Sequence, residues 1–264
     1  MSRTIGEIIE WLSEGADPAQ PTVDRLDPGS RETAVTGIVT AFSASQAVIE
    51  RALTLGANFI ISHEGVYYSH QGETGLLHGD PVFMEKAALI ARSGIGIYRF
   101  HDAIHRYRPD GIMAGLLREL GWERYVRQQQ PAAAILELPA RSVKTIAEEL
   151  KKALGIAYVR AAGDLSMPCS RIGVLVGYRG GGSSAIPLFH KEKVDLVIAG
   201  EGPEWETPEY VKDAVHQGRS TALIMLGHAE SEAPGMKDLA DRLTEQFPEL
   251  PVYFIKDQPV FQII

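Results

Sequence analysis

Three short segments of the sequence carry histidine and carboxylate side chains close together. The segments are His63 with Glu64, His101 with Asp102 and His105, and His228 with Glu232. Imidazole nitrogens and carboxylate oxygens are suitable ligands for first-row divalent metals such as Zn, Fe, Mn, Co and Ni. Two such ions near one another need shared carboxylates to offset their mutual repulsion. The residue types therefore predict a site for two divalent metal ions, without choosing the metal.

Each of these segments directly follows a predicted buried strand. The stretch FIIS runs into His63, IGIYRF runs into His101, and TALIMLG runs into His228. In open α/β sheets, ligands bind outside the carboxyl ends of the strands, where the loops converge. The shared placement favours one common site. The alternative, which applies to any single histidine, is that it only caps a strand or helix through hydrogen bonds.

The elements that position these residues alternate between strands and helices. After a predicted first helix and a connector, PAQPTVDRLDPGS, the stretches TAVTGIVTAF, SASQAVIERALTLGA and NFIISHEG have strand, helix and strand patterns. This is the sequence form of a βαβ crossover. The alternation continues, with HDAIHRYRPD predicted as a polar loop and MKDLADRLTEQF as the last helix. We therefore predict an α/β fold over residues 1–264, with possible lobes 1–128 and 129–264 that share a metal cleft. Each lobe is expected to be a parallel or mixed sheet flanked by helices.

Composition excludes several classes of protein. The net charge of -8 and the pI near 5.5 argue against a surface that neutralises nucleic acid. Cys169 is the single cysteine, so an intramolecular disulfide framework and metal clusters with several thiolates are excluded. No apolar stretch approaches the roughly 20 residues of a membrane span, and the first residues lack the pattern of a signal peptide. We expect a cytoplasmic protein without nucleic-acid or membrane partners.

Several motifs together resemble one known family. They are VTGIVTAF, ERALTLGANFIISHEG, FHDAIH, DGIMAGLLRELGW, DLVIAGEGPEW, LGHAESEAPGMKDLADRL and VYFIKDQPVF. In these motifs the chain resembles the Nif-three-like dinuclear-metal family, also named the GTP cyclohydrolase I type two homologue family. The resemblance covers nearly the whole chain. It implies the Nif-three-like fold, a two-metal site and a toroidal homohexamer with the metal sites facing an internal cavity.

The resemblance also implies a set of metal ligands. Carried over position by position, they are His63, Glu64, His105, His228 and Glu232, with His101 close by. Family members usually have a second histidine where Glu64 stands and an aspartate where His105 stands. The exchange keeps three imidazoles and two carboxylates, which predicts a retained two-metal site in which Glu64 supplies the charge of the missing aspartate.

Two functions are compatible with such a site. The first is a metal-dependent hydrolase acting on a nucleotide or a phosphoester-like small molecule, with Glu64, Asp102 or Glu201 handling the proton. Asp102 could alternatively be a metal ligand, or a group that holds a ligand from behind. The second function is a non-catalytic metal carrier or regulatory scaffold. A catalytic site keeps an open position on the metal, whereas a structural site is closed by protein.

A few further residues have two possible roles. The stretch GYRGGGSSAI is either a phosphate-binding loop or a structural turn. His70 and His78 lie in a Gly-rich loop and are predicted to be solvated, as loop residues commonly are. Trp205 is predicted to be a packing residue.

Overall fold

The structure is a computed structural model that describes residues 3–16 and 21–264. The chain forms two compact units: unit 1 comprises Met1–Gly111 and Met236–Ile264, and unit 2 comprises Ile112–Gly235. The connector predicted after the first helix falls partly on residues 17–20, which lie outside the described residues.

The described ranges contain short strands and helices in alternation. The strands are β1 (Arg25–Leu26), β2 (Ile38–Ala41), β3 (Phe59–Ser62), β4 (Gly96–Arg99), β5 (Val126–Gln129), β6 (Ala134–Ser142), β7 (Arg160–Gly163), β8 (Pro168–Leu175), β9 (Leu196–Ala199), β10 (Ala222–Met225) and β11 (Val252–Phe254). The α-helices are α1 (Ile5–Ser13), α2 (Gln46–Thr54), α3 (Pro81–Ser93), α4 (Asp102–Arg106), α5 (Gly111–Glu119), α6 (Val143–Leu154), α7 (Gly182–His190), α8 (Thr207–His216) and α9 (His228–Gln246).

Unit 1 is built around a largely parallel sheet. Its described strands have the order β1-β4-β3-β2-β11, in which β1 alone is antiparallel to its neighbour. Strands β2, β3 and β4 are buried along their whole length, which is why their sequences are largely apolar. Ser45 caps α2 through the Val48 N–H, as its position before the helix predicts. The apolar faces of α2 and α3 pack on this sheet around Ile49, Ile60 and Ile97.

Unit 2 is built around a mixed sheet. Its described strands have the order β5-β6-β8-β9-β10-β7. Strands β8, β9 and β10 run parallel, whereas β5, β6 and β7 pair with antiparallel neighbours. Val197, Leu223 and the apolar residues of α7 and α8 form its core. The carboxyl ends of β8, β9 and β10 therefore lie side by side at one edge.

The predicted α/β class with two sheets flanked by helices is confirmed, and the differences concern individual segments. HDAIHRYRPD was predicted as a loop, but it contains the helix α4. The last helix begins at His228 rather than near Met236. The C-terminal segment belongs to unit 1 because β11 pairs with β2, so the compact units divide the chain differently from lobes 1–128 and 129–264.

None of the helices in residues 3–16 and 21–264 combines the length and apolar character that crossing a membrane requires.

Candidate metal centre

Three histidines of unit 1, which we call the histidine cluster, lie together at the carboxyl edge of the sheet. His63 follows β3, His101 follows β4, and His105 lies in α4. Strands β3 and β4 are parallel neighbours, so the residues after them emerge side by side. The ring centroids are 4.6 Å apart for His63 and His101, 5.0 Å for His63 and His105, and 5.2 Å for His101 and His105. One ligand atom from each histidine lies within 4.8 Å of the other two.

The Nδ1 atom of every histidine in the cluster faces a hydrogen-bond acceptor. The acceptors are the Phe100 carbonyl for His63 (3.1 Å), Asp102 for His101 (2.9 Å) and Asp110 for His105 (2.9 Å). Carbonyl and carboxylate oxygens only accept, so each Nδ1 carries the proton and donates it. Each neutral ring is then left with an unprotonated Nε2, which is the form that binds a metal.

Burial of His101 favours this form. Burial, together with the neighbouring His63, lowers the pKa of His101 to about 4, although the hydrogen bond to Asp102 opposes the shift. Burial raises the pKa of Asp102, but hydrogen bonds from the Val23 N–H, His101 and Thr22 outweigh burial and bring it to about 2. At neutral pH, His101 is therefore an uncharged candidate ligand held by an ionised carboxylate.

The short helix α4 depends on a carboxylate from a distant part of the chain. Asp24 accepts hydrogen bonds from the backbone N–H groups of His101, Asp102 and Ala103, at 2.7 to 2.8 Å. These N–H groups belong to the first turn, which has no partners inside the helix. Asp24 therefore fixes the turn that carries His105. Sequence reasoning missed Asp24 because it falls in the stretch predicted as a connector.

Glu64 forms a buried ion pair that the sequence did not predict. Its Oε2 lies 2.9 Å from Nη2 of Arg99, and the side chains are 20% and 4% exposed. The other carboxylate oxygen, Oε1, lies 3.7 Å from Nε2 of His101. Arg99 stands in β4, a strand that is otherwise apolar or aromatic, and a charge in such a strand indicates a buried partner. That signal was available in the sequence.

In unit 2, His228 lies between two carboxylates. Its Nδ1 is 3.0 Å from Oε1 of Glu201, which follows β9, and its Nε2 is 3.0 Å from Oε2 of Glu232, one turn along α9. Burial disfavours the charged ring, but the hydrogen bonds and charges of Glu232 and Glu201 outweigh it and raise the pKa of His228 to about 9. His228 is therefore protonated at neutral pH in the metal-free protein.

The Gly-rich stretch packs against this pair. At Gly177, where φ is +60°, an added Cβ would lie 2.1 Å from Oε1 of Glu232 and 3.2 Å from Nε2 of His228. The Gly177 N–H donates to Ser231, and the Gly182 N–H donates to the carboxylate of Glu206. These donors are used within the protein, which favours the structural turn over a phosphate-binding loop.

The structure also gives the surroundings of Trp205, Cys169, His70 and His78. Trp205 was predicted to pack, but its exposed fraction is 77%. Cys169 lies in β8, where burial is the main cause that raises its pKa to about 12. His70 contacts Arg99 and His101 in addition to being half-exposed. His78 is exposed, as predicted.

The donor sets fit divalent metal ions. The histidine cluster offers three imidazoles whose Nδ1 atoms donate to acceptors, and carboxylate oxygens adjoin imidazoles in both units. Nitrogen and oxygen donors of this kind suit Zn, Fe, Mn, Co and Ni.

Metal binding by His228 should release a proton. Because Nε2 must lose its proton to bind a metal, the affinity of Zn²⁺ for this residue should fall about tenfold for each pH unit below about 9. His101, with a pKa of about 4, imposes no such cost at neutral pH. In the metal-free protein, protonated His228 stabilises the fold because its pKa is raised. This stabilisation is fully present below about pH 6.5 and is lost as pH rises through about 9. Calorimetric titration with Zn²⁺ at pH 7, in buffers of different ionisation enthalpy, measures the number of protons released on binding. Undiminished proton release by His228→Gln would contradict the assignment.

Gly177→Ala should displace Glu232 and weaken metal binding, because the new methyl group overlaps the carboxylate. Gly121→Ala is the matched control, since its φ is +65° and nothing lies within 4 Å of the added Cβ. Both variants place a Cβ at a similar positive φ, which costs about 1–2 kcal/mol in each. Zn²⁺ affinity and melting temperature should be measured for both. Equal affinities in the two variants would show that Gly177 does not position the ligand.

Comparison with known proteins identifies the family of the chain. The family model for Duf34/NIF3 (NGG1p interacting factor 3) matches residues 7–259. A Clostridium perfringens protein named GTP cyclohydrolase 1 type 2 homolog is 24% identical over 83% of this chain and 81% of its own length. An Escherichia coli K12 protein of the same name is 27% identical over 87% of each chain. A Bacillus cereus protein related to NIF3 covers 100% of both chains with a TM-score of 0.79 and 14% identity, a likeness of fold. Because the family model spans most of the sequence, the chain belongs to the Duf34/NIF3 family.

Proposed function

We propose that this protein is a metal-dependent hydrolase that holds two divalent ions and acts on a nucleotide or a phosphoester-like substrate. The proposed ligands are His63, Glu64, His101, His105, His228 and Glu232. The observation that carries the proposal is the histidine cluster, whose three Nδ1 atoms all face acceptors. Such rings are prepared to bind metal before any ion arrives.

Two bound divalent ions would activate a water molecule and polarise a phosphoryl or carbonyl oxygen. The protein side chains then divide the remaining tasks. Asp102, whose pKa is about 2, is too weak a base to take a proton near neutral pH and instead holds His101 in place. Glu64 presents Oε1 toward His101 and is the better candidate for the base that accepts the proton of the activated water.

The name of the relatives supports a nucleotide as the substrate class, since the Clostridium perfringens and Escherichia coli proteins are both named for GTP cyclohydrolase. A pocket for guanine is not part of the proposal. The resemblance also supports a homohexamer as the assembly. The alternative is a metal carrier or scaffold that uses the same ligands.

Elemental analysis of the purified protein should find two divalent ions per chain, and a screen with nucleotides and phosphoesters should find hydrolysis by the loaded protein. His105→Ala should lose metal and activity together. His216→Ala is the matched control, because His216 is exposed on α8. Bound metal without any hydrolysis would favour the carrier or scaffold, whereas a protein that retains no divalent metal would contradict both functions.

The exchange of ligand types can be tested by restoring the usual residues of the family. The sequence suggests that Glu64→His combined with His105→Asp recovers metal. The structure predicts that it does not, because Glu64→His removes the carboxylate from buried Arg99, and His105→Asp places a second carboxylate near Asp110. Removing one member of a buried pair costs about 3–5 kcal/mol.

We therefore expect the double variant to bind less metal and to unfold more readily than the wild type. Metal content and denaturant unfolding are the measurements. Glu64→Gln is the control, since its amide oxygen still accepts a hydrogen bond from Arg99 while the charge is removed. Full recovery of metal in the double variant would show that the two positions compensate one another directly.

A further inference from the structure

We propose that His70 donates a hydrogen bond to an oxyanion, such as a phosphate or a carboxylate, that binds at the metal centre of unit 1. The inference rests on the proposed metal binding and adds a residue that is not itself a ligand. His70 lies between β3 and α3, its side chain is 51% exposed, and its ring centroid is 5.0 Å from that of His101. A half-exposed ring beside a candidate ligand is placed to meet an incoming molecule.

The tautomer of His70 follows from its contact with Arg99. Nη2 of Arg99 lies 3.0 Å from Nδ1 of His70. A guanidinium group can only donate hydrogen bonds, so Nδ1 must accept, and the neutral ring carries its proton on Nε2.

This tautomer is the opposite of that in the histidine cluster. The cluster histidines donate from Nδ1 to oxygen acceptors, so a neutral ring carries no proton on Nε2. His70 accepts at Nδ1 and presents an N–H at Nε2. Ligand atoms of Glu64, His70 and His101 lie within 4.8 Å of one another, as a metal site would require. Arg99, however, already occupies Nδ1 of His70 and Oε2 of Glu64. His70 is therefore a donor and not a metal ligand.

Two buried cations hold the segment that carries His70. Nη1 of Arg99 donates to the His70 carbonyl. Nζ of Lys86, a residue that is only 2% exposed, donates to the Val66 carbonyl at 2.6 Å. Burying a charge without partners is costly, so these contacts are unfavourable to break. Arg99 is thus the positioning residue that fixes both the location and the tautomer of His70.

An oxyanion suits this position for electrostatic reasons. The Nε2–H of His70 is a hydrogen-bond donor on a half-exposed ring, and the guanidinium of Arg99 contacts the same ring at Nδ1. Such a donor favours the oxygen of an anion over a cation or an apolar group. The site would take a phosphate or carboxylate group of a larger molecule, or the free ion.

The first test is nitrogen NMR of the imidazoles in the metal-free protein, with His70→Gln used to assign the His70 signals. We expect the Nε2–H tautomer for His70 and the Nδ1–H tautomer for the cluster. The second test is binding of inorganic phosphate to the Zn²⁺-loaded protein. His70→Asn keeps an acceptor for Arg99 but loses the Nε2 donor, so it should weaken phosphate binding about tenfold.

His70→Gln places an amide N–H near the position of Nε2 and should recover most of the affinity. His78→Asn, in the same segment, is the control and should bind phosphate like the wild type. An Nδ1–H tautomer for His70, unchanged phosphate affinity in His70→Asn, or loss of Zn²⁺ from His70→Asn would each overturn the inference. If the wild type binds no metal, the proposed function fails, and the tautomer alone decides the role of His70.

Discussion

A histidine ring has two nitrogens, and the partner of one decides what the other can do. In the histidine cluster, acceptors hold Nδ1 and leave Nε2 for a metal. At His70, a donor holds Nδ1 and leaves an N–H at Nε2. At His228, carboxylates adjoin both nitrogens and retain a proton on the ring. The same type of side chain is thus placed as a candidate ligand, as a hydrogen-bond donor and as a protonated candidate ligand, and the surrounding groups make the difference.

The candidate ligands that depart from the expected family pattern each have a local compensating charge. Glu64, where the resemblance implies a histidine, is paired with the buried cation Arg99. His105, where the resemblance implies an aspartate, is backed by the buried carboxylate of Asp110. A negative charge is therefore kept near position 105. It lies on Asp110, which is hydrogen-bonded to the imidazole of His105. Glu64 and His105 each have an oppositely charged or charge-supplying neighbour of their own, so the two positions need not compensate one another.

The sequence was sufficient to predict the α/β class and the positions of the first ligand residues. Short apolar runs identify buried strands, and His63, His101 and His228 follow such runs directly. The helix α4 could not be predicted in this way, because its first turn is completed by Asp24, which is far away in the sequence. The return of the C-terminal segment to unit 1 likewise depends on the pairing of β11 with β2. Pairings between distant segments leave no local pattern.

Buried cations are an intermediate case, because the sequence reveals the need for a partner but not its identity. Arg99 in an apolar strand and Lys86 on the packed face of α3 both require acceptors once they are removed from water. The acceptors are a carboxylate and backbone carbonyls in the segment after β3. Since a carbonyl carries no side-chain signature, only the fold identifies it. The groups that orient a metal site are therefore harder to predict than its ligands, although the chemistry of the ligands depends on them.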